Sequence, residues 1–452
     1  MKITKRVTAI VLTILVFITN FNFLAVEASY KLPFEPNSQS VYLVNTDTNT
    51  VVYEKDAHKK LSPASLTKIM TAIIALETVK DLEGTKIKAP AYLYDEFYQL
   101  NVSNADIRQG EEVRMIDLIY AMMLPSACEA SSIIADYLGS GNITEFVEMM
   151  NKKAKEIGAK DTVFKNPHGL HNEAQITTAY DMYLITKYAL SIPIFEKIAT
   201  TSSYQMPATN KHSQPYLITH TNLMMSKVRG GDIYYEFVKG IKTGSLPEVG
   251  KNLVSMASKD GYNYLLVTLG APAVDDKGAP LSVNGAFADA KNLYKWAFSS
   301  FKQTTIVQED EVVGETPVKL SSDQDYVTLT AKDSITALLP TDSDVTTIQK
   351  IKTFDKNVRA PIKKGDVLGK MDLKLNDNII ASVDLVASQD IDRSIWLYSF
   401  DVVKRFLSNI LVKILLGILG LLIIMFAVMA ARYRKISRIR AARARNMQRK
   451  HK

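Results

Sequence analysis

The chain has 452 residues, of which 47% are hydrophobic and 23% charged, a composition that excludes a disordered or fibrous protein and allows two or three domains. Its net charge of +8 would suit a nucleic-acid binder, but ten of the basic residues lie in 432–452, a segment without acids. The rest of the chain is therefore net negative, and nucleic acid is not an expected partner. The single cysteine, Cys128, excludes an intrachain disulfide and a Cys-based zinc site.

The N-terminus has the pattern of an export signal. Basic residues at positions 2, 5 and 6 precede an apolar run, and Val26 and Ala28 place small side chains at −3 and −1 before Ser29. This arrangement is typical of signal-peptidase cleavage. We therefore predict a signal peptide over residues 1–28, with an uncleaved anchor as the alternative.

Residues 29–302 mix short β-like runs with longer helical patterns, which predicts an α/β or α+β domain, a sheet faced by helices. Alternating or continuous apolar runs indicate strands, and apolar residues at i, i+3 and i+4 indicate helices. The predicted strands are 41–44, 51–53, 253–257 and 262–270, and the predicted helices are 65–79, 113–124, 130–138, 143–157, 178–190 and 286–301.

From residue 303 the pattern changes to short alternating runs separated by turn residues, which predicts a small all-β domain over 303–387. No histidine or cysteine occurs in that stretch, so we expect it to take no part in the chemistry. The predicted strands are 312–313, 318–320, 326–331, 335–339, 351–353, 367–374 and 379–386.

The C-terminal part is predicted to meet a membrane. Within 388–409 an amphipathic pattern is typical of an interfacial helix with an aromatic anchor, or alternatively of a plain linker helix. Residues 410–431 carry one charge, Lys413, and would span about 33 Å as a helix. The basic tail 432–452 matches the positive-inside rule, which places it in the cytoplasm and the domains outside the cell, although such a tail also suits anionic lipid.

The first chemical motif is Ser65-Leu66-Thr67-Lys68. Positions i and i+3 share one face of a helix, so the Ser65 hydroxyl and the Lys68 amine can meet. A serine becomes a nucleophile when a base takes its proton, and a lysine serves as that base when burial or a nearby cation lowers its pKa. Alone the motif is weak, because a serine at a helix start is commonly just a cap.

Two further motifs follow along the chain. The second motif is Lys242-Thr243-Gly244, followed by Ser245. On a strand beside a cleft, Lys242 and Thr243 can hold a carboxylate, and Gly244 allows a ligand to approach the backbone closely. The alternative is an exposed turn. Ser126, two residues before the cysteine, lies between two helical patterns, where it can relay a proton or merely cap the second helix.

The order of these motifs resembles that of the penicillin-recognising serine enzymes, Ser-x-x-Lys, then Ser-x-Asn, then Lys-Thr-Gly. Specifically, the chain resembles the low-molecular-mass penicillin-binding proteins that are serine-type D-alanyl-D-alanine carboxypeptidases. The segments that carry this resemblance lie within residues 30–300, at 53–55, 61–72 (LSPASLTKIMTA), 164–170 (FKNPHGL), 178–182 and 238–244. The resemblance extends more loosely to the predicted β domain and to the predicted C-terminal membrane anchor.

The resemblance implies removal of the terminal D-Ala from peptidoglycan pentapeptide stems through an acyl-enzyme, with β-lactams as covalent inhibitors. Ser65 would be the nucleophile, Lys68 its base and Ser126 the proton donor to the leaving group. Lys242 with Thr243–Ser245 would bind the substrate, with the backbone N–H groups of Ser65 and Ser245 as the oxyanion hole.

One position departs from the family pattern, since Cys128 stands where the second motif has Asn. A thiol is a weaker hydrogen-bonding group than an amide, although Cys128 can still fill the space beside Lys68. This departure leaves a catalytically weak peptidoglycan-binding or scaffold protein as an alternative, and a β-lactamase or esterase as another. No metal or cofactor is expected, because the His168-x-x-His171 pair lies in a loop marked by proline and glycine. The oligomeric state is left open.

Overall fold

The structure of the protein, a computed structural model, describes residues 32–450 apart from 276, 344, 376 and 377. The predicted signal peptide therefore lies outside the described residues. The chain divides into two compact units, the first comprising the chain through Thr304 with Thr336–Thr347, and the second Thr305–Ile335 with Ile348–Lys452. The domain bounds proposed from the sequence stay predictions.

The first unit contains a sheet, several helices and two small hairpins. Its strands are β1 (Ser40–Asn45), β2 (Thr50–Lys55), β3 (Lys86–Lys88), β4 (Glu112–Arg114), β5 (Ser203–Met206), β6 (Tyr216–Thr219), β7 (Val238–Leu246), β8 (Gly250–Lys259) and β9 (Tyr262–Ala271). Its helices are α1 (Lys68–Thr78), α2 (Met115–Met123), α3 (Cys128–Leu138), α4 (Ile143–Ile157), α5 (Ala179–Leu190), α6 (Pro193–Ala199), α7 (Lys227–Gly230) and α8 (Gly285–Ser300).

Five of these strands form an antiparallel sheet in the order β2-β1-β9-β8-β7. Its central strand β9 is buried on both faces: Tyr264 and Leu266 join a core with α8, whereas Leu265 and Val267 join the larger core with α1–α6. Because successive side chains of a strand point to opposite faces, the uninterrupted apolar run of β9 lets helices pack on both sides. The prediction of a sheet faced by helices is confirmed.

Helix α1 lies inside the larger core, and every residue from Lys68 to Ala75 is buried. It follows directly on a 3-10 turn, Ala64–Thr67. Ser65 therefore stands on the turn that enters the helix, and Lys68 is the first residue of the helix itself. Both side chains therefore lie at the start of α1.

The predicted helices and strands of this unit are observed, with end shifts of a few residues. The hairpins β3–β4 and β5–β6 were not predicted. Their strands have only three or four residues, which is too short to show an alternating pattern above background.

The strands after α8 are β10 (Phe301–Val307), β11 (Val312–Lys319), β12 (Tyr326–Ala331), β13 (Ile335–Pro340), β14 (Gln349–Phe354), β15 (Val358–Arg359), β16 (Val367–Leu375) and β17 (Asn378–Ala387). The second unit is built on a six-stranded sheet with the order β14-β16-β17-β12-β11-β15, whereas nearly all of β13 belongs to the first unit. The all-β prediction is confirmed. The prediction of separate strands at 312–313 and 318–320 is wrong, because β11 runs through both and absorbs Gly314 with a register shift against β12.

Two helices follow this sheet, α9 (Ile395–Ser408) and α10 (Ile410–Lys450). No residue of α9 is buried, and its large apolar side chains, Trp396 and Phe400 among them, are exposed. An extended backbone at Asn409 separates the two helices. Within the described residues, Ile410–Ala441 is the one helix long and apolar enough to cross a membrane, so a C-terminal helix suited to membrane anchoring is present.

Candidate active site

The Ser65 and Lys68 side chains meet as the motif predicted. Lys68 Nζ donates to Ser65 Oγ at 3.2 Å and to the carbonyl oxygen of His168 at 2.5 Å, and it lies 3.6 Å from Cys128 Sγ. Lys68 is completely buried. Burial lowers its pKa below the ordinary 10.5, and the neighbouring Cys128 and Glu129 oppose that shift only in part. A buried lysine with a lowered pKa can hold the free amine that accepts a serine proton.

The turn that carries Ser65 is held from three sides. Thr67 Oγ1 donates to the Ala64 carbonyl at 2.8 Å, and Asn252 Nδ2 of β8 donates to the Ser62 carbonyl at 2.9 Å. On the third side Gly169, with φ +87°, approaches so closely that a Cβ there would stand 2.0 Å from the Ala64 oxygen. These contacts fix the position of the hydroxyl before any substrate arrives.

Ser126 lies between α2 and α3 in the left-handed region, with φ 70°. Its Oγ is buried and has no hydrogen-bond partner within the described part of the chain. It is not a helix cap, since Ala127 occupies the cap position of α3. A strained, unpartnered and buried hydroxyl is a frequent mark of a functional position.

Lys242 and Thr243 lie on β7, at the edge of the sheet. Lys242 is completely buried, and its Nζ donates to the Thr243 carbonyl at 3.1 Å. Burial and then the charge of Lys68 lower its pKa well below 10.5, so the two amines are electrostatically coupled. Because each ammonium disfavours the other, the site favours a neutral amine.

The remaining part of that motif borders the nucleophile turn. A Cβ at Gly244 would stand 3.1 Å from the Pro63 carbonyl oxygen and 3.2 Å from the Ala64 Cβ, so glycine permits β7 to lie against the turn. Ser245 Oγ accepts from Lys251 Nζ at 2.8 Å. The exposed-turn alternative for this motif is therefore excluded.

Three contacts around these motifs were not predicted from the sequence. Thr221 Oγ1 lies 2.6 Å from Thr243 Oγ1, and the His168 carbonyl oxygen accepts from Lys68. His220 Nδ1 accepts from the Asn222 N–H at 2.8 Å, and burial followed by the charge of Lys242 lowers the His220 pKa to about 3. A backbone carbonyl leaves no signal in side-chain identity, and Thr221 lies 22 residues from its partner. No group of His, Cys, Asp and Glu suited to a metal ion occurs among the described residues.

A family model described as D-alanyl-D-alanine carboxypeptidase matches residues 26–273, more than half of the chain. The chain belongs to the D-alanyl-D-alanine carboxypeptidase family. A second model, the C-terminal domain of penicillin-binding protein 5, matches residues 301–393. The prediction of a serine-type D-Ala-D-Ala carboxypeptidase is confirmed, and the scaffold and β-lactamase alternatives are not favoured.

Relatives of this carboxypeptidase are similar over most of their length. The D-alanyl-D-alanine carboxypeptidase DacF of Bacillus subtilis is 28% identical over 359 residues, covering 79% of this chain and 86% of the relative. DacA of Haemophilus influenzae is 26% identical, covering 86% and 94%. The solved structure of penicillin-binding protein 5 from H. influenzae is similar with a TM-score of 0.63 and 25% identity, covering 80% of this chain and all of that one.

Proposed function

We propose that this carboxypeptidase removes the terminal D-Ala from peptidoglycan pentapeptide stems through an acyl-enzyme on Ser65. The observation that carries the proposal is the 3.2 Å contact between Ser65 Oγ and Lys68 Nζ, inside a site where two lysines are completely buried. Family membership supports stem peptides as substrates and β-lactams as ligands. No cofactor enters the proposed reaction.

In the acylation step, Ser65 Oγ attacks the carbonyl carbon of the penultimate D-Ala while its proton passes to the free amine of Lys68. The backbone N–H groups of Ser65 and Ser245 stabilise the oxyanion. Lys242 and Thr243 hold the terminal carboxylate, and Thr221 orients the Thr243 hydroxyl through their 2.6 Å contact.

The tetrahedral intermediate then collapses, and the C–N bond to the terminal D-Ala breaks. Ser126 relays to the departing amine the proton that Lys68 took from Ser65; its buried, unpartnered hydroxyl is available for that transfer. A water molecule next attacks the acyl carbon while Lys68, neutral again, takes its proton. That proton passes to Ser65 Oγ as the ester bond breaks, which releases the shortened stem and restores Ser65. Cys128 lines this site beside Lys68 and exchanges no proton in the cycle.

We further propose that α10 tethers the enzyme to the cell membrane with both folded units outside and the basic tail inside. The apolar helix Ile410–Ala441 and the concentration of basic residues in 432–452 support this orientation. Protease added to intact cells should digest the folded units and spare a C-terminal tag. Protection of the folded units from the protease, with loss of the C-terminal tag, would indicate the opposite orientation and contradict the proposal.

Acylation of the full-length protein by a fluorescent penicillin tests the assignment of Ser65. We expect a covalent adduct on the Ser65 peptide, and release of D-Ala from a soluble peptide ending in D-Ala-D-Ala. Both should vanish in Ser65→Ala and persist in Ser140→Ala, which removes an exposed hydroxyl. An adduct mapped to Ser126 or Cys128 would refute the assignment.

A further inference from the structure

A carboxylate outside the recognised motifs touches the loop that holds Lys68. Glu96 lies in the 3-10 turn Ala91–Phe97. Its Oε2 lies 3.3 Å from His168 Nε2, and its Oε1 accepts from Ser132 Oγ of α3 at 2.6 Å. Glu96 thereby connects α3 to the loop that contains His168.

The hydrogen bonds around His168 determine which ring nitrogen carries the proton. The Leu170 N–H donates to Nδ1 at 3.1 Å, so Nδ1 presents a lone pair. Burial lowers the His168 pKa, which favours the neutral ring with its proton on Nε2, directed at Glu96. The Phe97 ring packs edge-on against the imidazole, with centroids 5.7 Å apart. The imidazole is therefore held by hydrogen bonds at both nitrogens and by an aromatic contact.

The backbone of the same loop faces the nucleophile helix. The His168 carbonyl accepts from Lys68 Nζ at 2.5 Å, and the preceding Pro167 carbonyl accepts from Thr71 Oγ1 at 2.7 Å. A carbonyl oxygen binds an ammonium more strongly than a neutral amine. The His168 oxygen consequently stabilises the charge that Lys68 gains when it takes the proton of Ser65.

We propose that Glu96 is a positioning residue for acylation, which holds the His168 ring and so keeps the His168 carbonyl oxygen against Lys68. This inference rests on the proposed role of Lys68 as the base. Glu96 makes no contact with the reacting atoms in the proposed reaction. Its effect passes through the imidazole and the backbone of the 166–170 loop.

The inference predicts a particular change in the pH dependence of acylation. The titratable groups that face Lys68 are Cys128 and Glu129 of α3, Lys242 of β7 and His168. The titratable group that faces Glu96 is His168. Removing Glu96 weakens the contact that favours the ammonium form, so the pKa of Lys68 falls. The rising, acid-side part of the plot of acylation rate against pH (the acid limb) then moves to lower pH. The maximal rate at higher pH (the plateau) falls, because Lys68 is a weaker base and its ammonium form is less stabilised.

The experiment measures the second-order rate of acylation by one chromogenic β-lactam between pH 5 and 9, with full-length protein in detergent. We expect Glu96→Ala to lower the plateau rate about tenfold and to move the acid limb of the profile down by roughly half a pH unit or more. Glu96→Gln should stay within about threefold of the wild type, since its amide accepts from His168 and donates to Ser132. Asp95→Ala, which removes the exposed neighbouring carboxylate, should change neither quantity.

The outcomes separate this inference from the proposed function. A wild type that is not acylated at Ser65 contradicts the function itself. A normally acylated wild type with a Glu96→Ala profile unchanged in both plateau and limb overturns only the role of Glu96. A lower plateau with an unmoved limb also overturns it, because general loosening of the fold would produce that result. Equal losses in Glu96→Gln and Glu96→Ala would overturn it in favour of a pure charge effect.

Discussion

Lys68 Nζ lies 3.6 Å from Cys128 Sγ, so a thiol borders the amine that the proposed reaction uses as its base. The cysteine is buried as the first residue of α3, and its backbone N–H donates to the Ser103 carbonyl at 2.9 Å. Its position is therefore set by the start of the helix. The side chain contributes volume and one weak polar contact beside Lys68.

Substitution of Cys128 tests how much that contact matters. A lost hydrogen bond of this kind is worth about 0.5–1.5 kcal/mol, and ~1.4 kcal/mol corresponds to a tenfold change in rate. We expect Cys128→Ala to slow acylation roughly two- to tenfold, and Cys128→Asn to raise it or leave it unchanged. Ser65→Ala, measured in parallel with the same β-lactam, should abolish acylation. A loss of several hundredfold in Cys128→Ala would give the thiol a direct chemical role.

The pH dependence of acylation reports the state of the buried amines. A lysine with an ordinary pKa would be neutral in roughly one molecule per thousand at pH 7.5, and the rate would climb tenfold per pH unit up to about pH 10. Burial lowers the pKa of Lys68 and of Lys242, so the neutral amine is populated at lower pH. We expect the rate to level off well before pH 10. A continued tenfold rise per unit between pH 7 and 10 would contradict a free amine at Lys68.

The close approach of Gly169 offers a test of the nucleophile turn. Gly169→Ala places a Cβ 2.0 Å from the Ala64 oxygen, which must displace the turn that carries Ser65. We expect acylation to fall at least tenfold. Gly141→Ala is the matched control, because Gly141 has φ +86° and a Cβ added there would meet nothing within 4 Å, so it incurs only the left-handed penalty of about 1–2 kcal/mol. Acylation in the control should match the wild type; equal losses in both variants would contradict the steric argument.

Asp289 ties the start of the described chain to α8. Its carboxylate accepts from Asn37 N and Nδ2 at 2.9 and 2.7 Å and from Ser38 N and Oγ at 2.7 and 2.6 Å. Asp289→Ala leaves the two donors of the buried Ser38 unpaired, at a cost of about 3 kcal/mol, which lowers Tm by roughly 5 °C for a unit of this size. Thermal unfolding followed by circular dichroism measures the shift.

Asp275 provides the comparison for that measurement, since its carboxylate also accepts from two backbone N–H groups but lies in an exposed loop. Asp275→Ala should move Tm by no more than about 2 °C, because water replaces the lost acceptor. A shift in Asp289→Ala as small as in Asp275→Ala would show that the buried network adds little stability.

The sequence alone was sufficient for features that depend on short-range periodicity. The i, i+3 spacing of Ser65 and Lys68 predicted the contact that forms where the 3-10 turn enters α1, and continuous apolar runs indicated the strands at the centre of the sheet. The three motifs were found in the correct order, and their resemblance led to the family that the comparisons show. Element ends were less well predicted, and β11 was divided in two, because glycine and proline interrupt the pattern without ending the strand.

Tertiary packing decided what lies around those motifs. The way in which α1, β7 and the intervening loops meet determines three features of the site. These are the burial of both lysines, the approach of the His168 carbonyl from 100 residues away and the contact of Thr221 with Thr243. Nothing in the local pattern encodes them: a backbone carbonyl is identical in every residue, and a lysine becomes a base only where the surrounding fold excludes water. The sequence thus indicated the groups that the proposed reaction uses, and only the folded core set the burial and the contacts of those groups.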